Sequence, residues 1–426
     1  MAVIDYLIIG GGVAGTTAAE TIRQRDPAGS IAVVSDEPHR LYSRVLLSKA
    51  NFFLEKIPFD HIWLKSEAWY GENRIELMMG KQAVRLDPAQ KVVVLENGEE
   101  LQYRKLLLAV GGCARAWGGV AGSDKRGIHS LRTLDDAKNI IAAMKSTWPA
   151  RAVAQAGRAP RAIAVGGGFV SFEMCEMLRR GEFEVALILR EPHYWEPTLD
   201  EPSGQMIEAA LEKGGVKIFR NAEVSEVRGG EAVEGVTLQD GTEIPCGLII
   251  VGIGVVCPFA WLQAGGVAVG RGILANEYLE TSVPDVWVAG DAAEFNDIIL
   301  GGRVQLGNWV NAQMQGKIAG LNMVGQKQPF KLVSFYTTQG FGITIAFVGD
   351  VRRAADRQVI TRGSPELGWY VRFIVKDGEV VGATLINRTP ELGAISKIIE
   401  QNVNVEGREQ QLADPAFDLK TFLALG

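Results

Sequence analysis

The sequence predicts an α/β protein with two similar parallel-sheet modules, followed by a smaller α+β domain. The first observation is an internal repeat, because an apolar strand, a glycine turn and a helix occur at residues 3–25 and again at residues 161–180. The second is the composition, since 50 of the 426 residues are glycine and only 16 are proline, against an average glycine content of about 7%. Glycine in excess without proline marks backbone positions at which a Cβ atom would clash.

Composition and charge exclude several classes of protein. Hydrophobic residues make up 47% of the chain and charged residues 22%, which is ordinary for a globular enzyme and excludes a disordered or fibrous chain. The net charge is −6, without the excess of basic residues that nucleic-acid-binding proteins carry, so we expect no nucleic acid partner. No apolar run approaches the roughly 18 residues of a membrane-spanning helix. Glycines follow the apolar residues 3–9 at once, which is not a signal-peptide pattern. We therefore expect a cytoplasmic protein without membrane contact.

The first module has the pattern of a Rossmann-like dinucleotide-binding domain. Gly10 permits a tight turn, Gly12 lets the backbone approach a pyrophosphate, and Gly15 lets the helix pack on the strand. The start of that helix offers N–H groups and partial positive charge to an anion. Glu37 ends the second apolar strand about 20 residues beyond Gly15, where an acid accepts both hydroxyls of an adenosine ribose.

The second module repeats this pattern with two differences. Its turn runs through Gly166 and Gly168, but the third small residue is Ser171 instead of glycine. No carboxylate stands at position 189, where an NAD site usually has one, and Arg190 follows. Arg190 either pairs with a 2′-phosphate, which favours NADPH, or is a solvated strand end beside Glu191.

The rest of the chain predicts a loop, antiparallel strands and, from about residue 330, a region in which strands no longer alternate with helices. Residues 150–160 are rich in alanine, arginine and glycine without periodicity, which indicates a loop. Residues 75–100 alternate in polarity and predict antiparallel strands. From about residue 330 onward we expect strands at 343–348, 369–375 and 380–386 and a helix at 391–401.

Further motifs lie outside the glycine turns. They are residues 37–49 with Tyr42, Arg44 and Lys49; residues 106–111; residues 281–291, which end in Gly290-Asp291; and residues 309–316, which begin with Trp309. Together with the two turns they resemble the FAD-dependent pyridine nucleotide reductase family, in particular its rubredoxin/ferredoxin reductase and nitrite reductase large-subunit group. Residues 106–111 depart from that family's pattern at Val110, where the family has threonine. The resemblance is close over residues 3–325 and loose over residues 330–426.

This resemblance implies the two-dinucleotide flavoprotein fold, with FAD held permanently and NAD(P)H exchanging as substrate. It implies an FAD-binding domain of residues 1–113 and 247–328, an NAD(P)H-binding domain of residues 114–246, and a C-terminal α+β domain of residues 329–426. Arg190 favours NADPH as the substrate.

The resemblance also implies roles for individual residues. Lys49 would lie by flavin N5, held by Glu173, and these two are the expected catalytic residues; the alternative is two separate surface charges. Asp291 would accept a ribityl hydroxyl, Arg44 would contact FAD phosphate or flavin, and Trp309 would line the flavin unless it is a core residue. The expected cofactor-binding residues are Gly10, Gly12, Val13, Ala14, Gly15, Glu37, Arg44, Lys49, Ala83, Ala109, Gly111, Gly166, Gly168, Phe169, Val170, Glu173, Arg190, Gly254, Gly290, Asp291 and Trp309.

Cysteine and histidine positions narrow the chemistry. The cysteines at 113, 175, 246 and 257 form no CxxC pair, and residues 46–53 around Lys49 contain none. A cysteine-thiolate route is therefore disfavoured, and we expect all four cysteines to be buried small hydrophobic residues. The four histidines show no ligand spacing, so no metal is expected.

The resulting hypothesis is an FAD-dependent NAD(P)H oxidoreductase that passes electrons singly to a small carrier protein of the ferredoxin or rubredoxin type. One alternative is an NADH-responsive flavoprotein of the apoptosis-inducing-factor type, acting in signalling or assembly. Another is a quinone reductase, against which the missing hydrophobic anchor argues. The arginines at 352, 353, 357 and 362 either dock an acidic carrier or form a solvated face. The oligomeric state, with a homodimer as one option, is left open.

Overall fold

The computed structural model describes residues 3–147, 159–257 and 259–424. Contacts divide the chain into two compact units: the first is Met1–Ser43, Asp60–Cys113 and Val256–Tyr336, and the second is Arg44–Phe59, Ala114–Val255 and Thr337–Gly426. Residues 150–158 of the predicted loop lie outside the described residues. The three-domain division expected from the sequence stays a prediction.

The first unit contains a seven-stranded sheet with a parallel centre. Its strands run in the order Ile75–Met79, Ile31–Ser35, Ile4–Ile9, Glu100–Leu108, Val92–Leu95 and Ala83–Asp87, with Val286–Val288 also parallel to Glu100–Leu108. Ile8 pairs with Val33 on one side and Leu107 on the other, and all three side chains are fully buried. Such unbroken apolar runs are typical of parallel strands covered on both faces.

The prediction of antiparallel strands over residues 75–100 is wrong for the first strand. Ile75–Met79 pairs in parallel with Ile31–Ser35, whereas Ala83–Asp87 and Val92–Leu95 form an antiparallel pair. Ile75–Met79 lies at the sheet edge and is only partly buried. Alternation reports that one face is exposed, and it does not report strand direction.

Two helices of the first unit, Val13–Arg25 and Trp309–Met323, pack backbone to backbone. A Cβ atom on Gly316 would lie 2.1 Å from Ala14 O, so only glycine allows this approach. The start of the first helix is thereby fixed against the second. The remaining elements are the helix Glu67–Glu72, the helix Ala260–Ala264, the 3-10 turn Phe59–Ile62, and the strands Ile273–Ala275, Ala293–Asp297 and Gly302–Val304.

The second unit contains a five-stranded parallel sheet. Its strand order is Val216–Phe219, Glu184–Ile188, Arg161–Val165, Leu248–Val251 and Ile128–Ser130. Its other elements are the helices Ala50–Phe53, Leu134–Thr147, Phe169–Arg180 and Glu201–Lys213, the 3-10 turn Arg44–Ser48, and the antiparallel strands Val224–Arg228, Gly235–Leu238 and Glu243–Pro245. Two-residue strands occur at Cys113–Ala114 and Val255–Val256. The predicted α/β class with two Rossmann-like modules is confirmed.

A five-stranded antiparallel sheet follows in the C-terminal region. Its order is Phe335–Gly340, Ile343–Gly349, Glu379–Ile386, Trp369–Lys376 and Gln358–Ser364. The helical segments are Pro365–Leu367, Thr389–Glu391, Leu392–Glu400, Glu409–Ala413 and Leu419–Ala424. The predicted strands and the predicted helix agree with these bounds to within one residue, because alternation and apolar runs are strong in this region.

The two options for the arginines at 352–362 are both wrong for Arg357 and Arg362. Arg357 is largely buried, with Arg357 Nη2 2.8 Å from Asp350 Oδ2. Arg362 is buried and donates to Glu391 and to three backbone carbonyls. These charges therefore hold the C-terminal fold together.

Over the three described ranges, no helix has the length and apolar character needed to cross a membrane. The same residues contain no group of three or more His, Cys, Asp or Glu side chains arranged to hold a metal ion.

Candidate functional site

The first glycine turn lies between the first strand and the helix Val13–Arg25. Gly10 has a φ of +119°, and a Cβ atom there would lie 2.1 Å from Ala109 O. A Cβ atom on Gly15 would lie 1.9 Å from Gly10 O. Gly12 differs, because no described heavy atom lies within 4 Å of its Cβ position. The turn is therefore closed at Gly10 and Gly15 and open at Gly12, next to the helix N–H groups that attract anions.

Glu37 is held by a residue whose role the sequence did not reveal. The hydroxyl of the buried Tyr42 donates to Glu37 Oε2 at 2.6 Å, so the carboxylate has a fixed orientation. Tyr42 belongs to the same motif, but only the folded chain turns it back toward Glu37. Ala83 lines a cavity of about 140 Å³ together with Gly10 and with Asp36, the residue before Glu37.

A second loop of the first unit approaches the helix Val13–Arg25. Gly290 has a φ of +87°, and a Cβ atom there would lie 3.3 Å from the Cβ of Ala14. The N–H of Gly290 donates to Gln315 Oε1 at 2.7 Å. Gln315 is fully buried, and its Nε2 has no hydrogen-bond partner among the described residues. Asp291 follows directly, so its carboxylate is carried by a loop packed on the first glycine turn.

Gly111 and Trp309 complete the first-unit residues named from the sequence. Gly111 has a φ of +59°. It lies two residues after Ala109, whose N–H donates to Ile9 O at 2.8 Å. Trp309 begins the helix Trp309–Met323, and it is half-buried rather than part of the apolar core.

The second glycine turn, in the second unit, has the same steric design. Gly166 has a φ of +107°, and a Cβ atom there would lie 2.5 Å from Gly252 O. No described heavy atom lies within 4 Å of the Cβ position of Gly168. Ser171 takes the third glycine position and donates to Val165 O at 3.3 Å. A Cβ atom on Gly252 would lie 2.5 Å from Ser171 Oγ, so Gly252 provides the space that Ser171 uses.

A cavity of about 650 Å³ opens beside this turn. Its lining includes Gly166, Gly168, Gly254, Arg190 and Glu191. The Arg190 side chain is 73% exposed, with its Nη2 2.9 Å from Glu191 Oε1. Gly254 has a φ of +105° and open space at its Cβ position. Arg190 therefore lies beside Glu191 and also borders the cavity.

The helix after the turn begins at Phe169, directly after Gly168. Phe169 and Val170 are consequently the first helical residues, with N–H groups at the open helix end. The Phe169 ring contacts Trp195 and Phe347, at centroid distances of 4.0 and 5.4 Å.

Lys49 and Glu173 meet in the second unit. Lys49 Nζ donates to Glu173 Oε1 at 2.5 Å, and Thr338 Oγ1 donates to the same oxygen at 2.5 Å. The Lys49 side chain is 35% exposed and that of Glu173 is 11% exposed. Lys49 also borders a cavity of about 630 Å³ lined by Thr338 and Arg180. Their place beside a flavin stays a prediction.

Arg44 lies in the 3-10 turn Arg44–Ser48, where its Nη1 donates to Arg132 O. This contact anchors the guanidinium to the backbone. Its predicted contact with FAD stays a prediction.

The cysteines are not all buried. Cys175 and Cys246 are buried, and burial raises the pKa of both thiols, that of Cys246 to about 12. The expectation of burial is wrong for Cys113, which is exposed, and for Cys257, which is half-buried. Cys113 begins the two-residue strand Cys113–Ala114, beyond the end of the sheet strand Glu100–Leu108, so it lies outside the apolar core.

Comparisons with known proteins place these features in context. Residues 4–316 match the family described as pyridine nucleotide-disulphide oxidoreductase, and residues 335–423 match the family described as reductase C-terminal. The chain is 31% identical to the ferredoxin–NAD(+) reductase component of the biphenyl dioxygenase system of Paraburkholderia xenovorans, over 98% of this chain and 97% of that protein. It is also 31% identical to the ferredoxin reductase subunit of the 5,5'-dehydrodivanillate O-demethylase of a Sphingobium species, over 99% and 98% of the two chains. A solved covalent putidaredoxin reductase–putidaredoxin complex is similar with a TM-score of 0.90 and 25% identity, over 100% of this chain and 99% of the other.

Proposed function

The chain belongs to the pyridine nucleotide-disulphide oxidoreductase family, and we propose that it passes electrons from NAD(P)H through FAD to a ferredoxin-type carrier protein. One observation carries this proposal: two glycine turns, each with a closed first glycine and an open glycine two positions later, stand at strand ends. Two such turns suit two dinucleotides, one resident and one exchanging. Full-length relatives named as ferredoxin reductases support the same class of acceptor.

The residues of the first unit fit FAD. The open Gly12 leaves space for a pyrophosphate. The buried Gln315 contacts Gly290 in the loop that carries Asp291, and its Nε2 has no hydrogen-bond partner among the described residues. We assign the adenosine ribose to Glu37, oriented by Tyr42, and the ribityl chain to Asp291. When bound, FAD supplies the chemistry of accepting a hydride and releasing electrons one at a time.

We assign NAD(P)H to the cavity beside Gly166 and Gly168. Arg190 and Glu191 would then meet the adenosine ribose. We propose NADPH as the preferred substrate, because an exposed guanidinium can exchange its carboxylate partner for a 2′-phosphate with a higher charge. Glu191 provides the opposite option, since a carboxylate freed from Arg190 would accept the hydroxyls of NADH.

Lys49 is the proposed catalytic cation, and Glu173 and Thr338 are its positioning residues. Glu173 Oε1 accepts from both Lys49 and Thr338, so the carboxylate is held from two sides and restrains the ammonium. A positive charge held near an electron-rich reduced ring stabilises that ring, which is how a protein tunes a flavin.

Electrons would leave the cofactor without passing through a thiol. Residues 46–53 contain no cysteine, and Cys175, two residues beyond Glu173, is fully buried. Burial raises the pKa of the Cys175 thiol, so it stays protonated and unreactive. The proposed partner is a small iron–sulfur carrier of the ferredoxin or rubredoxin type. A homodimer and a cytoplasmic location stay predictions.

The test is an anaerobic titration of the purified protein. We expect a flavin absorption spectrum that bleaches with NADPH or NADH and returns on addition of an oxidised ferredoxin. A protein without flavin would contradict the proposal. A slowly reoxidised complex that changes its self-association, with no transfer to ferredoxin, would instead favour the apoptosis-inducing-factor type of function.

A further inference from the structure

Residues 193–200, here called the bracing loop, contact both the second glycine turn and the C-terminal sheet. The loop follows the strand Glu184–Ile188 and precedes the helix Glu201–Lys213. Tyr194, near its start, is fully buried, and its hydroxyl donates to Gly168 O at 2.7 Å. The N–H of Tyr194 donates to Glu208 Oε1 at 2.7 Å, and Glu208 is buried. Tyr194 is therefore anchored at both its backbone and its hydroxyl.

The hydrogen bond to Gly168 O fixes a neighbouring N–H group. Gly168 O accepts from Tyr194 and from the N–H of Phe172, at 2.7 and 3.1 Å. Because a peptide bond is planar and trans, a fixed carbonyl of Gly168 also fixes the direction of the Phe169 N–H. That N–H is the first donor at the helix end where we place the pyrophosphate. Burial raises the pKa of Tyr194 well above its usual value, so the hydroxyl remains a donor.

The next residue, Trp195, contacts the same turn through its side chain. Trp195 has a φ of +68°, in the left-handed region. Its ring lies 4.0 Å from the Phe169 ring and 5.1 Å from the Phe347 ring, between centroids. Phe347 belongs to the C-terminal strand Ile343–Gly349. The start of the nucleotide-binding helix is thus packed against the C-terminal sheet through Trp195.

The far end of the bracing loop is tied to another C-terminal strand. The hydroxyl of Tyr370 donates to Asp200 Oδ2 at 3.0 Å. The fully buried Arg372 donates to Thr198 O and, at 3.1 Å, to Val351 O. Tyr370 and Arg372 lie on the strand Trp369–Lys376. Both ends of the loop are therefore restrained by hydrogen bonds to buried groups.

We propose that Tyr194 is a positioning residue for the nicotinamide nucleotide, and that Tyr370 acts on the same turn through the bracing loop. The C-terminal sheet thereby sets the affinity of the second glycine turn for the pyrophosphate. This inference rests on the proposed function, since it requires NAD(P)H to bind beside Gly168.

The test is Tyr194→Phe in the flavin-loaded protein. We expect the KM for NAD(P)H and the Kd for ADP-ribose, which carries the pyrophosphate without the nicotinamide, to rise about 3- to 10-fold, the range of one neutral buried hydrogen bond. The kcat at saturating nucleotide stays within about twofold of the wild-type value, because the reacting groups are untouched. Tyr370→Phe raises the same constants by a smaller factor, and the double variant shows no more than the effect of Tyr194→Phe.

A matched control is Tyr103→Phe. Tyr103 is equally buried, in the first unit, and its hydroxyl finds no partner among the described residues. We expect unchanged constants for this variant. An unchanged ADP-ribose Kd in Tyr194→Phe, an equal rise in Tyr103→Phe, or additive effects of Tyr194→Phe and Tyr370→Phe would overturn the inference. Failure of the wild-type protein to bind either NAD(P)H or ADP-ribose would instead overturn the proposed function.

Discussion

Lys49 Nζ lies 2.5 Å from Glu173 Oε1, and this ion pair joins residues 124 positions apart. Glu173 is on the helix that leaves the second glycine turn, whereas Lys49 precedes the short helix Ala50–Phe53. The Glu173 carboxylate is mostly buried. Among the residues that the structure describes, Thr338 would be its remaining hydrogen-bond donor if Lys49 were lost. The pair therefore couples the position of the ammonium to the helix that follows the second glycine turn.

Lys49→Met should slow flavin reduction by NAD(P)H about 10- to 100-fold, the range expected for one hydrogen bond that involves a charged group. Glu173→Gln should have a smaller effect, because the amide oxygen still accepts from Lys49. Stopped-flow absorbance under anaerobic conditions measures both rates. The matched control is Lys145→Met, whose exposed ammonium pairs with Glu55 at 2.8 Å. A Lys49→Met rate equal to that of this control would remove Lys49 from the catalytic step.

Gly12 and Gly15 should respond differently to an added side chain. Gly12→Val should fold but be purified without flavin, since its Cβ enters open space that we assign to the pyrophosphate. Gly15→Ala should lose about 1–3 kcal/mol of unfolding free energy, because its Cβ would lie 1.9 Å from Gly10 O. Flavin-to-protein ratios and urea unfolding distinguish the two. Full flavin content in Gly12→Val would contradict the assigned site.

Arg190→Ala should weaken NADPH binding about tenfold and leave NADH binding nearly unchanged, because only NADPH offers a 2′-phosphate to the guanidinium. The expected factor is at the low end for a charged hydrogen bond, since the Arg190 side chain is 73% exposed. KM values for the two nucleotides, at low and high salt, measure the effect. Equal changes for NADH and NADPH would assign Arg190 to the solvated strand end instead.

Stability toward acid should depend on Asp350. Burial opposes ionisation of this carboxyl, but hydrogen bonds from Arg352 and Arg357 outweigh it and hold the pKa of Asp350 well below its usual value. A lowered folded-state pKa stabilises the protein above the unfolded-state pKa of about 3.9, and this stabilisation is lost as the pH falls toward the folded-state pKa. Asp350→Asn should therefore lose about 3 kcal/mol at pH 7 and less below pH 4.

Urea unfolding at pH 7 and at several values below pH 5 measures this difference. The control is Asp356→Asn, which removes an exposed carboxylate that lies 3.5 Å from Lys376 Nζ. Its unfolding free energy should stay within about 0.5 kcal/mol of wild type at pH 7. A constant difference between Asp350→Asn and wild type at every pH would show that Asp350 does not act through its ionisation.

Local steric demands made the two glycine turns predictable from the sequence. Gly10, Gly15 and Gly166 stand where neighbouring backbone atoms exclude a Cβ, and that demand produces a fixed spacing that can be read along the chain. The pairing of Lys49 with Glu173 could be named because both belong to motifs of a known family, although nothing local to either residue predicts the contact.

Contacts between residues that are far apart in the chain leave no comparable pattern in the sequence. Thr338 and Tyr194 touch Glu173 and Gly168 only after folding, and neither residue type nor spacing marks them. Arg362 looks like part of a basic surface stretch, yet its guanidinium is buried against Glu391 and backbone carbonyls. The sequence shows that a charge is present, whereas its burial depends on partners more than twenty residues away.

The most direct test of electron transfer is its stoichiometry. Catalytic amounts of the protein are mixed anaerobically with limiting NADPH or NADH and an excess of an oxidised [2Fe–2S] ferredoxin, and both absorbances are followed. Because a hydride carries two electrons and the ferredoxin accepts one, we expect about two ferredoxins reduced per nucleotide oxidised. Nucleotide oxidation without ferredoxin reduction, or no oxidation by flavin-loaded protein, would contradict the proposed function.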